Sequence, residues 1–412
     1  MGAAPLNVRA YHFPLMDSIR GIAVIAVVAA HSSVFMSLTG SHSLANVRFD
    51  FSVRVFFMIS AFLLYRPWVR ARLADWEPPS AKAFAWRRML RIVPAYYLAL
   101  TVIALWLGLS YVFGARGIPT YYGFAQVYQP GWAVGGLPQA WTLCVEVVFY
   151  ALLPLWGGLM RRIRASSVAQ KLRQELIGCG VLLVVSLVYK VIVTATGAIG
   201  GSGGVPFQLN TLTFLDDFAI GMALGAVSAA YEGRREQPRA IRVLDRRPEL
   251  AWGVVLVLIV GTTFLVGFFG EVAENIQGAP YVGRHYMLAA LGVALLLPAM
   301  FGDPDRGAVR RLLRNRVLSY LGMISYGLYL WHFAVLVQLE RWDFQSVAED
   351  AGAWVWFPAA LLGGTLLASA SYYVVEIPFL RLKGLVRSRP GPQPGEAIEE
   401  PAPIAPPRPQ TG

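Results

Sequence analysis

Apolar runs of about twenty residues recur between residues 18 and 375, with no soluble-looking block between them. A helix of that length crosses about 30 Å of hydrocarbon. In lipid every backbone polar group has to be satisfied within the protein, so such runs become spanning helices. Ten can be placed, at 18–38, 50–67, 92–113, 139–160, 176–196, 211–231, 250–270, 286–302, 317–337 and 353–375. Of the 412 residues 56% are hydrophobic and only 15% charged, where a soluble protein carries about a quarter. Mean hydropathy is +0.52. The expected fold is an all-α integral membrane protein of about ten transmembrane helices in one domain.

Arginine and lysine concentrate in alternate loops. "RPWVRARLADWEPPSAKAFAWRRMLR", "RRIRASSVAQKLRQE", "RREQPRAIRVLDRR", "DRGAVRRLLRNR" and "RLKGLVRSR" are basic, whereas the intervening loops hold only Arg48, Arg116, Arg284 and Arg341. By the positive-inside rule both termini are cytoplasmic. The net charge of +12 then reports topology and contact with anionic lipid, not nucleic acid. The expected division is a cytoplasmic N-terminus (1–17), a transmembrane domain (18–388) and a disordered, proline-rich cytoplasmic tail (389–412). The first thirty residues also have the look of a signal peptide, but nine further runs favour an uncleaved first span. The expected location is the inner (plasma) membrane, in multi-pass form. Cys144 and Cys179 both lie in apolar runs, so the sequence offers neither a disulfide framework nor metal-ligand spacing, and no metal is expected.

Within "LMDSIRGIAVIAVVAAHSSV" an arginine and a histidine stand eleven positions apart. Eleven residues rise about 16 Å and turn through three revolutions plus about 20°, so Arg20 and His31 share a face. Arg20 sits at the cytoplasmic edge and His31 deep in the span. One arginine there is commonly a snorkelling side chain and one histidine an interhelical hydrogen bond. Together they suggest a ligand lying along the helix, its anionic end at the cytosol and its reacting end in the bilayer.

Three further segments point to the same cavity. "WRRMLRIVPAYY" puts Arg87, Arg88 and Arg91 at the start of the third span, with Arg88 and Arg91 on one face, either as a phosphate clamp or as a basic flank. "AWTLCVEVVFYALLPLW" buries Glu146 about two turns below the outer surface, where a lone carboxylate is costly. "SYLGMISYGLYLWHFAVL" carries Tyr326, Tyr329 and His332, candidates for acceptor binding or catalytic support as well as for packing. Lys190 with Asp216 and Asp217 reads as a helix-joining ion pair ahead of an acceptor site.

The order of these motifs resembles the membrane-bound acyltransferase 3 family over nearly the whole chain. "MDSIRGIAVIAVVAAH" is similar to its Arg, ten residues, His pattern, "VFFMISAFLLYRPW" to its second span and "RRMLRIVPAYYLAL" to its Arg-x-x-Arg third span. "WTLCVEVVFYALLP" resembles its Trp-Ser/Thr-Leu-x-x-Glu span, "ISYGLYLWH" its ninth, and "VEIPFLRL" its closing Glu-x-Pro. Arg54, Ala61 and Val147 depart from the usual pattern. The resemblance implies an O-acyltransferase moving an acyl group, acetyl above all, from cytosolic acyl-CoA to a hydroxyl of an envelope glycan, glycolipid or secreted metabolite. Acyl-CoA would be a substrate, with no tightly bound cofactor. Arg20, Arg88 and Arg91, with Arg87 beside them, would hold the coenzyme A phosphates, and His31 would act at the thioester. His31 could serve as general base, with Glu146 orienting its ring, or as a nucleophile carrying the acyl group. The competing class is a secondary transporter of a small anionic solute, which would not need clustered arginines aligned with a deep histidine.

Overall fold

The computed structural model describes residues 13–38, 51–198, 204–232, 234, 237–268, 279–351 and 353–386. Residues 1–12 and the tail expected at 389–412 lie outside the described residues. All regular structure among those described is helical. The main helices are α1 (Met16–Leu38), α2 (Phe51–Leu73), α3 (Ala81–Trp106), α4 (Trp141–Arg162), α5 (Val168–Ala195), α6 (Leu215–Tyr231), α7 (Glu249–Phe268), α8 (Ala279–Met300), α9 (Arg316–Met323), α10 (Ser325–Arg341) and α11 (Trp356–Ser371).

Among the described residues, seven helical stretches, α1 to α5, α8 and the run Trp356–Leu385, are long and apolar enough to cross a membrane. An eighth is added if α9 and α10, which meet at a 78° bend, form one broken span. Each of the ten expected intervals holds helix, but α6 has only 17 residues. The third helix differs most from expectation. It starts at Ala81, capped by Ser80 accepting from the Ala83 amide, so its arginines lie inside the helix and not before it. A helix that starts a full eleven residues early is what lets Arg88 and Arg91 project sideways into a neighbouring space.

The most extensive helix pairings are α2 with α6, α1 with α9, α10 with α11, and α5 with α6. Small residues set the closest of them, as is usual where lipid offers no hydrophobic drive between helices. At the crossing of α1 and α9, a Cβ on Gly21 would lie 2.2 Å from the Leu318 carbonyl oxygen, and one on Gly322 1.6 Å from that of Asp17. Ser18 and Ser319 are bridged Oγ to Oγ at 2.9 Å in the same crossing. This contact fixes the start of α1 and therefore Arg20. Gly322→Ala should open the crossing and lower the melting temperature in detergent, since forcing atoms into a packed contact costs about 1–3 kcal/mol. An unchanged melting temperature would show that the crossing is not tight.

Between α3 and α4 the chain folds into short turns, Ser110–Phe113, Ile118–Tyr122, Gln126–Tyr128 and Pro138–Ala140. Tyr96 ties them to α3 by donating to the Tyr121 carbonyl at 2.8 Å. Gln139 ties them to α10, its side-chain amide donating to the carbonyls of Tyr329 at 3.2 Å and Leu330 at 2.9 Å. What reads in sequence as a connecting loop is a plug that holds α10 in place.

Candidate active site

A cavity of about 240 Å³ lies among α1, α2, α3, α4 and α10. Arg20 from α1 and Arg88 and Arg91 from α3 line it, Phe56, Phe57, Leu63, Ile92 and Leu143 form its apolar walls, and Thr142 and Tyr329 lie toward its far end. The lining runs from Leu64 to Val53 along α2, which is about 16 Å of helix rise. A polar mouth and an apolar shaft suit an amphiphilic ligand with an anionic head.

The electrostatics of the mouth are unbalanced. Arg20 has Asp17 at 3.8 Å, and among the described residues no carboxylate lies within 4.0 Å of the Arg88 or Arg91 guanidinium. Arg88 Nε is buried with no hydrogen-bond partner there. Three partly buried guanidinium groups converging on one space, two of them with no carboxylate that close, make this end of the cavity electropositive. Arg87 does not line the cavity. Next to Arg88 on the helix, it faces about 100° away.

Glu146 lies on the wall of the same cavity, accepting from Ser60 Oγ at 3.1 Å, and Tyr150 is one turn along α4. The sequence suggested that it could orient His31; its described hydrogen bond goes instead to α2. His31 meets a different partner. His332 Nε2 lies 3.0 Å from His31 Nδ1, although 301 positions separate them. Phe333 packs edge-on to the His31 ring at 5.4 Å. Tyr329 connects the two sites: it lines the cavity, and its ring centre is 6.1 Å from that of His332. Its hydroxyl donates to the Gln139 carbonyl at 2.5 Å and lies 2.7 Å from Thr142 Oγ1. Tyr326 also lines the cavity and donates to the Ile92 carbonyl at 2.8 Å.

A second polar cluster joins α2, α5, α6 and α8. Asp217 accepts from Arg54 at 2.8 Å, Asp216 from Lys190 at 2.7 Å, and the His285 ring lies between Arg54 and Asp216. Ligand atoms of Asp216, Asp217 and His285 fall within 4.8 Å of one another, but Arg54 and Lys190 already balance both carboxylates. The geometry is that of buried ion pairs tying helices together. It gives a partner to Arg54, whose place in an apolar span the sequence left unexplained. His285 escaped sequence reasoning; the signal available was that a carboxylate pair inside a membrane has to find partners.

The family profile for an acyltransferase domain matches residues 14–373. The chain belongs to the acyltransferase 3 family. The chain is similar to the peptidoglycan O-acetyltransferase OatA of Listeria monocytogenes, 25% identical over 398 residues that cover 91% of this chain and 57% of that one. It is 24% identical over 400 residues to the O-acetyltransferase OatA of Staphylococcus aureus, covering 90% and 58%. With the exopolysaccharide production protein ExoZ of Rhizobium meliloti the identity is 29% over 339 residues, covering 80% and 89%. The chain thus spans less than three-fifths of either OatA but most of ExoZ. No solved structure matches it significantly.

Proposed function

We propose that the chain is an O-acetyltransferase that takes an acetyl group from acetyl-CoA at the cytoplasmic face and delivers it to a hydroxyl of a cell-envelope polysaccharide. The observation that carries this reading is the convergence of Arg20, Arg88 and Arg91 on one end of a cavity whose other end is walled by Tyr329, beside the His31 and His332 pair. The arginines would hold the phosphates of the donor. The apolar shaft would take its extended arm, and Glu146 would accept from an amide N–H of that arm. The thioester would then reach the level of His31, about 16 Å above Arg20. The names of the relatives, peptidoglycan O-acetyltransferase and exopolysaccharide production protein, favour a glycan acceptor.

In the transfer, His31 takes the proton of the acceptor hydroxyl as its oxygen attacks the thioester carbonyl. The new C–O bond forms, the C–S bond breaks with its electron pair passing to sulfur, and the proton returns from the imidazole to give the free thiol. If His31 attacks first, its ring nitrogen bonds the acetyl carbon as the C–S bond breaks with its electron pair passing to sulfur; the acceptor oxygen then displaces the imidazole from that carbon, and the hydroxyl proton goes to the thiolate.

Membrane vesicles containing the protein should consume acetyl-CoA and release thiol. A strain lacking it should lose acetyl groups from an envelope polysaccharide, read by mass. Solute uptake into proteoliposomes with no thiol release would replace the enzyme with a transporter.

A further inference from the structure

The hydrogen bonds around the histidine pair determine which ring nitrogen of His31 carries a hydrogen. His332 Nδ1 is 2.9 Å from the Leu328 carbonyl oxygen, which only accepts, so that nitrogen bears the hydrogen. In a neutral imidazole the other nitrogen is then a lone pair. That lone pair, on His332 Nε2, faces His31 Nδ1 at 3.0 Å. His31 Nδ1 also lies 3.1 Å from the Val27 carbonyl oxygen, a second acceptor. Two acceptors facing one nitrogen require the hydrogen to be there. A bare Nδ1 would set a lone pair against the Val27 carbonyl. The two contacts together place a hydrogen on His31 Nδ1.

We propose that His332 is the positioning residue of His31: by accepting the Nδ1 hydrogen it commits His31 Nε2 to the transferred proton or acyl group. The role deepens the proposed function and rests on His31 acting in that reaction. As His31 becomes positively charged, its Nδ1–H bond to His332 becomes charge-assisted and therefore stronger. An aspartate in this position would place a net charge in the bilayer, whereas a neutral imidazole orients the ring without one. The surroundings hold His332 to the task. It is fully buried, and a Cβ on Gly364 of α11 would lie 3.3 Å from its Cα and Cβ, so the backbone of α11 closes behind the ring. With Leu328 holding Nδ1, the ring has a single orientation in which Nε2 meets His31.

The test uses the full chain with His332→Ala and His332→Gln. Histidine-labelled protein in nanodiscs is read by nitrogen NMR, with the His31 signals assigned by their loss in His31→Gln. Thiol release from acetyl-CoA is measured in native membrane vesicles, which hold the acceptor. His31 should show a protonated Nδ1 and a bare Nε2 in the wild type. His332→Ala should weaken that preference and lower kcat by about 10- to 100-fold with KM for acetyl-CoA unchanged, a loss of the size seen when a metal-bound histidine loses its orienting partner. His332→Gln, whose side-chain oxygen also accepts, should recover part of both. The inference is overturned if His31 shows a bare Nδ1, if folded His332→Ala keeps wild-type kcat, or if KM rises with kcat intact. Should the alanine variant fail to fold, a folded glutamine variant with a bare His31 Nδ1 overturns it equally. Retained turnover in His31→Ala would instead sink the proposed chemistry itself, so the two failures are distinct.

Discussion

His31→Ala should bind acetyl-CoA with wild-type affinity and fail to transfer its acetyl group. The residues proposed to hold the donor, Arg20, Arg88 and Arg91, line the cavity mouth, about 16 Å along α1 from the missing ring. Donor affinity is therefore insulated from the substitution. Losing a general base costs about 10²- to 10⁴-fold in rate, and losing a nucleophile can cost more, so the whole deficit should fall on kcat. A merely packing histidine reverses the order: the melting temperature falls while turnover per folded molecule holds. The deciding measurement is acetyl transfer or thiol release by a monodisperse variant already shown to bind acetyl-CoA. Near wild-type turnover would remove His31 from the chemistry and make Glu146 the next base to test, since it lines the cavity.

Arg88→Ala should weaken acetyl-CoA binding by about ten- to hundredfold, the effect of about 1.5–3 kcal/mol for one charge-assisted contact to phosphate. Arg88→Ala with Arg91→Ala should weaken it further and also lower the salt sensitivity of what binding remains, because fewer charges then meet the phosphates. Stability should change little: with no carboxylate within 4.0 Å of either guanidinium among the described residues, the free protein gives up no close ion pair. That combination, weaker ligand binding in an equally stable protein, separates a ligand site from a topological basic flank. Arg87→Ala supplies the control, because Arg87 does not line the cavity and should leave affinity unchanged. Equal affinities across all three variants would return these arginines to their role in orientation.

The alignment of Arg20 with His31 was legible in the sequence because it is a property of one helix: eleven residues return to nearly the same face whatever surrounds them. The shared face of Arg88 and Arg91 was legible in the same way, as a spacing of three, whereas Arg87, expected beside them at the phosphates, does not line the cavity. The all-helical membrane fold followed from apolar run length, a constraint the bilayer imposes on each segment separately. None of this requires knowledge of a neighbour. The partners did: His332 for His31 is 301 positions away, His285 for Arg54 231 and Asp217 for Arg54 163. A buried charge or imidazole demands a partner, but its own segment does not say which helix supplies it. Glu146 shows the consequence, since depth alone placed it near His31 while the rotation of α4 sets it against Ser60 of α2. The break between α9 and α10 was equally invisible, for an apolar run through Ile324 reads as one span, whereas the structure bends there by 78°. Gly21 and Gly322 let the backbones of α1 and α9 touch, and that contact fixes how the Arg20 helix meets the segment leading into His332. Helical periodicity is local and survives translation into sequence. Helix pairing is decided by which surfaces fit at van der Waals distance, and only the assembled bundle contains that information.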